Sequence, residues 1–208
     1  MLSTPFPKTR IAVLVSGGGT NLQALIDAQN QGRLKSGVLT LVVSNHADAY
    51  AVTRARENGI PVCIVEKAGK SQEEFEQQLL AALRENEIDL IVLAGFMSIL
   101  SASFTRQYEK RMINIHPSLI PSFCGKGFYG LKVHEAALAY GVKVTGATVH
   151  YVNEVPDGGE IIAQQPVRIL KSDTPQTLQR RVMEQAEWKL LPRAAEEVSR
   201  RLAKQKTK

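Results

Sequence analysis

The chain is 208 residues long, with 44% apolar and 22% charged side chains, an ordinary globular balance for one α/β domain with a sizeable core. The formal charge of +6 is concentrated at the carboxyl end, where Arg193 to Lys208 holds six basic residues against Glu196 and Glu197 and so contributes +4. The body is nearly neutral, which argues against nucleic acid as a partner. Cys63 and Cys124 make no disulfide framework and have no metal-ligand spacing with His46, His134 or His150, so a reducing cytoplasm and no metal are expected. Met1 to Lys8 has two prolines and no apolar core of the signal-peptide kind, and no run reaches membrane-spanning length, so no membrane partner is expected.

In chain order, β-rich apolar runs occur at Ile11 to Val15, Leu39 to Val43, Val62 to Val65 and Leu90 to Leu93. They read as parallel strands buried on both faces, separated by amphipathic helices. The clearest helix opens with a capping box, Ser71 as cap and Glu74 at the third position, and shows Phe75, Leu79 and Leu83 on its core face. A further strand is predicted over Met112 to Asn114. Val144 to Val152 and Glu160 to Ile169 then read as strands joined by the tight loop Pro156-Asp157-Gly158-Gly159. Thr174 caps a long final helix with Pro175 at its first position and a Leu178, Val182, Ala186 stripe. The expectation is α/β: a Rossmann-like, mostly parallel central sheet with helices on both faces, one domain over residues 1–208, and loose tails at 1–8 and about 203–208. Ligands of such a sheet gather at the carboxyl ends of the strands.

The loop Ser16-Gly17-Gly18-Gly19-Thr20-Asn21 lies between the first strand and a helix opening at Leu22. Its backbone N–H groups and the helix N-terminus suit a phosphate. A Walker A loop would need a Lys before its Ser/Thr, and none is present. The dinucleotide fingerprint fails because Leu22 stands where the third glycine belongs and Ser44-Asn45 offers no acidic ribose ligand. A monophosphate ester, or a plain βα turn without ligand, remains. After the strand ending at Asn114, a side-chain amide and the imidazole of His116 stand together at the carboxyl edge, able to stabilise an oxyanion and move a proton. Pro117 and Pro121 stiffen the following loop. Asp157 is either turn chemistry or, if the fold brings it beside His116, a carboxylate that orients the ring and favours its charged form. His150, on an alternating strand, either packs or points at the site, with packing the favoured reading, and Trp188, Tyr108 and Tyr129 read as packing aromatics rather than stacking platforms.

Four segments, Ser-Gly-Gly-Gly-Thr-Asn-Leu at 16–22, Leu-Ala-Gly-Phe-Met-Ser-Ile-Leu at 93–100, Asn-Ile-His-Pro-Ser-Leu-Ile-Pro at 114–121, and Thr-Gly-Ala-Thr-Val-His-Tyr-Val with Asp-Gly-Gly at 145–159, carry a resemblance across nearly the whole chain. The sequence resembles the phosphoribosylglycinamide formyltransferases of the formyltransferase superfamily. The resemblance implies transfer of a formyl group from 10-formyltetrahydrofolate, a co-substrate rather than a tightly bound cofactor, to the amine of glycinamide ribonucleotide in purine synthesis. It implies Asn114, His116 and Asp157 as catalytic residues, Gly19, Thr20 and Asn21 at the substrate phosphate, and Glu187 at the glycinamide end. It further implies a folate pocket from Met97, Ser98, Ile99, Leu100, Asn114, Val155 and Asp157. Family members often carry Arg where Ser98 and Gln72 stand, so a charge contact is missing here or moved to Lys70, with Lys70 or Gln72 as a further folate contact. The Gly-rich segment Cys124 to Lys132 departs from the shorter family loop and is either a mobile lid or a longer surface turn.

The expected partners are therefore small-molecule substrates, and the assembly a monomer or weak homodimer. Competing readings are a methionyl-tRNA formyltransferase or a formyltetrahydrofolate hydrolase, each usually larger by a domain, and a catalytically silent nucleotide-binding module on the same frame.

Overall fold

The computed structural model describes residues 7–206. Seven strands, β1 (Thr9–Val15), β2 (Gly37–Ser44), β3 (Val62–Ile64), β4 (Leu90–Leu93), β5 (Met112–His116), β6 (Val144–Tyr151) and β7 (Ile161–Arg168), form one sheet in the order β3-β2-β1-β4-β5-β6-β7. The first five run parallel, while β6 is antiparallel to β5 and β7 antiparallel to β6. Helices α1 (Thr20–Asn30), α2 (Tyr50–Glu57), α3 (Gln72–Glu85), α4 (Ala102–Gln107) and α5 (Leu131–Tyr140) lie between strands, and α6 (Pro175–Val182) leads to α7 (Trp188–Gln205). Among the described residues no helix is long and apolar enough to cross a membrane.

Period-two alternation in β1 shows why the sheet is covered on both sides. Ile11, Val13 and Val15 pack with Leu22 and Leu25 of α1 and with Leu191, Ala195 and Val198 of α7. Ala12 and Leu14 point the other way, into Phe75, Leu79 and Leu83 of α3 and Phe104 of α4. The α3 capping box forms as its sequence requires: Ser71 Oγ accepts from the Glu74 N–H at 3.2 Å, and Glu74 Oε2 accepts from the Ser71 N–H at 2.8 Å.

Three features depart from the sequence reading. Strand β5 continues past Asn114 to His116, because His116 pairs with Thr148 and Asn114 with His150 on β6. The helical run after Thr174 contains a π-helical turn, Met183–Glu187, between α6 and α7. The chain also stays helical through Gln205, with Leu202 and Ala203 buried against the core, so the tail expected from about residue 203 is packed there. Residues 1–6 and 207–208, the remainder of the expected tails, lie outside the described residues.

Candidate active site

Alternation along β5 puts Asn114 and His116 on one face of the sheet, and antiparallel register sets His150 opposite Asn114. The loop after β6 then returns over that face and delivers Asp157. Asp157 has φ 56°, a left-handed conformation that Asp tolerates better than most residues. The following glycines let the loop lie flat: a Cβ on Gly159 would stand 1.7 Å from the Tyr151 carbonyl oxygen, and one on Gly158 would stand 2.6 Å from Val155 Cγ1.

These elements converge on the Asp157 carboxylate. Oδ2 lies 3.5 Å from His116 Nδ1 and accepts from the Gly125 N–H at 2.8 Å. Oδ1 lies 3.6 Å from His150 Nε2 and 3.4 Å from Asn114 Nδ2. Burial works to raise the Asp157 pKa, but hydrogen bonding by His150, the charge of His116 and the Gly125 N–H outweigh it and leave the carboxyl below its ordinary value. At neutral pH it is therefore a carboxylate and an acceptor.

The histidines are oriented by backbone carbonyls. His116 Nε2 donates to Phe123 O at 2.9 Å, which turns Nδ1 toward Asp157. His150 Nδ1 donates to Tyr151 O at 2.8 Å, so Nε2 accepts from Asn114 Nδ2 at 3.2 Å when the ring is neutral and donates toward Asp157 Oδ1, 3.6 Å away, only when the ring is charged. His150, for which packing was the favoured of two sequence readings, thus belongs to the cluster; the available signal was its place on an alternating strand. Phe123 and Gly125 were also missed, because they contribute backbone atoms that leave no mark in side-chain chemistry. Through them the segment around Cys124 makes direct contact with the catalytic candidates.

A cleft of about 140 Å³ opens beside this cluster. Leu93, Phe96, Ile99, Leu100 and Val152 give it an apolar side, while Ser98, Asn114, His150 and the loop from Asn153 to Asp157 give it polar edges. Ser98, Ile99, Leu100, Asn114, Val155 and Asp157 thus share one wall, whereas His116 is buried behind it. Met97 faces a neighbouring hollow with Asn45, His46 and Lys67. Lys70 and Gln72 are also absent from the cleft wall. Lys70 donates to Glu66 O and Gln78 Oε1, and Gln72 Nε2 donates to Ile99 O at 3.0 Å, bracing the wall from behind.

The glycine loop lies at the adjoining end of β1. Helix α1 starts after Gly19, at φ 68°, with no side chain capping its N-terminus, so the first N–H groups at Thr20 and Asn21 are left for an external acceptor. Asn21 Nδ2 donates to Glu187 Oε2 at 2.7 Å, bringing the two distant sequence candidates together. Glu187 sits on the π-helical turn and is 5% exposed. Burial pushes its pKa up to about 6, against the lowering effect of the Asn21 hydrogen bond. The cluster can therefore hold a carbonyl, polarise it and accept a proton, while the loop and Glu187 hold a polar partner beside it.

Comparison with known proteins points to one family. The phosphoribosylglycinamide formyltransferase of Haemophilus influenzae is 39% identical over 184 residues, 88% of this chain and 84% of that protein. The chloroplastic phosphoribosylglycinamide formyltransferase of Arabidopsis thaliana is 39% identical over 178 residues, covering 85% of this chain. The chain spans only 61% of that plant protein's length. The crystal structure of glycinamide ribonucleotide transformylase 1 from Symbiobacterium toebii superposes with a TM-score of 0.86 at 38% identity, covering 93% of this chain and 88% of that one. The family described as formyl transferase matches residues 9–195, nearly all of the described fold, and the chain belongs to that family.

Proposed function

We propose that this protein transfers the formyl group of 10-formyltetrahydrofolate to the amine of 5-phosphoribosylglycinamide. The observation that carries the reading is the convergence of Asn114, His116 and His150 on the Asp157 carboxylate beside a cleft with one apolar side. An apolar wall with polar edges suits a flat pterin, and the glycine loop with Glu187 suits a phosphorylated ribosyl amine.

In this reading the substrate amine attacks the formyl carbon and the carbonyl oxygen becomes an oxyanion. Asn114 Nδ2, which donates toward His150 and Asp157 in the free protein, turns that donation to the oxyanion. His116, with Nε2 anchored on Phe123 O, supplies a proton from the ring face shared with Asp157. On collapse the bond from carbon to the folate N10 breaks and N10 takes the proton from His116, while the amine loses one through water to the ionised Asp157, which then returns it to His116 Nδ1, 3.5 Å away. Charges and protons balance without a metal or redox partner. Gly19, Thr20 and Asn21 hold the phosphate and Glu187 the polar groups near the amine. Cys63 and Cys124 are both unpaired, which fits a reducing compartment, and we place the reaction in the cytoplasm.

The test is to mix purified protein with 5-phosphoribosylglycinamide and 10-formyltetrahydrofolate and follow loss of the formyl donor with and without the amine. Loss that requires the amine is expected. Formate release without it would replace this reading by hydrolysis, and no loss in either mixture would overturn it.

A further inference from the structure

A glycine loop offers donors to an anion only where its own carbonyls are engaged elsewhere, and two of these carbonyls are held by α2. Ala51 N–H donates to Gly17 O at 3.0 Å, and Arg54 Nε–H donates to Gly18 O at 2.9 Å. The packing is tight: a Cβ on Gly19 would stand 2.7 Å from Ala51 Cβ and 3.4 Å from Arg54 Cδ. With successive carbonyls drawn toward α2, the N–H groups that follow at the open start of α1 are available to a ligand.

Arg54 does more than hold a carbonyl. Its Nη1 donates to Gln23 Oε1 at 3.0 Å, and its guanidinium lies 4.9 Å from the Tyr50 ring centroid. Among the described residues no carboxylate pairs with it, and Nη2 has no hydrogen-bond partner. Arg54 also shares the wall of one open hollow with Thr20, Gln23, Asp27 and Trp188, so the arginine and the first residue of α1 border the same space. A phosphate monoester is a dianion, and a guanidinium whose Nη2 still has N–H groups to donate supplies both a positive charge and a hydrogen bond to its oxygens.

We propose that Arg54 is the charge partner of the substrate phosphate: Nη2 donates to a phosphate oxygen seated at Gly19, Thr20 and Asn21, while Nε keeps the Gly18 carbonyl turned away. The inference rests on reading the glycine loop as the phosphate site. It assigns Arg54 a role in binding, separate from the formyl chemistry at Asn114, His116 and Asp157.

The experiment compares wild type with Arg54→Gln, Arg54→Lys and a control, Arg56→Gln, at an exposed position of the same helix. Arg54→Gln is expected to raise KM for 5-phosphoribosylglycinamide about tenfold or more, with kcat and the KM for 10-formyltetrahydrofolate within about twofold of wild type. Arg54→Lys is expected to fall between, and Arg56→Gln to match wild type. Calorimetric titration with ribose 5-phosphate supplies a readout independent of turnover, and its affinity should weaken by the same factor in Arg54→Gln while ribose shows no difference. Unchanged KM and unchanged ribose 5-phosphate affinity would overturn the proposal. So would a fall in kcat with ribose 5-phosphate affinity intact, which would make Arg54 a support for the loop alone. Failure of wild type to turn over the ribonucleotide would overturn the functional reading, while the calorimetric comparison would still decide Arg54.

Discussion

Replacing His134 by leucine is expected to stabilise the fold, and to do so increasingly as pH falls. His134 lies on α5 with 0% exposure, and neither ring nitrogen has a hydrogen-bond partner. Burial, aided by the charge of nearby His116, lowers its pKa from 6.5 to about 4. The unfolded chain therefore binds a proton over a range in which the folded chain does not. The stability contributed by the neutral ring is fully present above pH 6.5 and is lost as pH falls toward about 4. At about 1.36 kcal/mol per pH unit, the loss reaches about 2.5 kcal/mol by pH 4.5 and about 3 kcal/mol below the folded-state value. Even at pH 8 the unpaired nitrogens cost about 1 kcal/mol. His134→Leu should thus gain about 1 kcal/mol at pH 8 and about 2.5 kcal/mol more at pH 4.5.

Glu187 acts with the opposite sign in the same range. Its folded pKa of about 6 exceeds the ordinary 4.5, so the native state takes up a proton first and gains about 1.5 kcal/mol as pH falls from neutrality to 4.5. The wild-type pH profile alone would therefore understate the effect of His134. Urea denaturation of wild type and His134→Leu across pH 8 to 4.5 removes the Glu187 contribution by difference. A stability difference that stays constant over this range would refute a buried, unpaired, neutral His134.

Asp157→Asn should lower kcat by about 10² to 10⁴ while leaving the KM for 5-phosphoribosylglycinamide near wild type, because the acceptor at the cluster is lost and the glycine loop is untouched. Steady-state kinetics check this, and normal turnover would remove Asp157 from the mechanism. Gly159→Ala forces a methyl group against the Tyr151 carbonyl, which cannot yield as a flexible side chain would, so a loss of about 1–3 kcal/mol and a fall in activity as Asp157 shifts are expected. Thermal melts with activity assays on the same samples decide it. For wild type, KM for the ribonucleotide should rise as pH drops through about 6 and Glu187 gains its proton; in Glu187→Gln that KM should already be raised and nearly flat with pH.

The central parallel strands were legible because they are short, almost wholly apolar runs that burial on both faces explains, as in Ile11 to Val15 and Leu90 to Leu93. The α3 cap was equally plain, since Ser71 and Glu74 interact at a separation of three residues, a distance that sequence displays directly. Asn114, His116 and Asp157 could be nominated from residue type, motif and family resemblance. Their relation could not, because the register of β5 on β6 and the left-handed turn at Asp157 are what bring them within reach of one another.

The same reason explains the misses. Phe123 O and Gly125 N orient His116 and Asp157 through backbone atoms, to which side-chain identity is blind. His150 looked like packing until antiparallel pairing placed it across from Asn114, and Met97 looked like part of the cleft until the turn after β4 aimed it at the neighbouring hollow. Local chemistry, read along the chain, determined the elements, the donors and the acceptors. Contacts spanning 36, 43 and 166 residues, from Asn114 to His150, Asn114 to Asp157 and Asn21 to Glu187, were decided only by the fold, because no local periodicity encodes which distant surfaces share a face of the sheet.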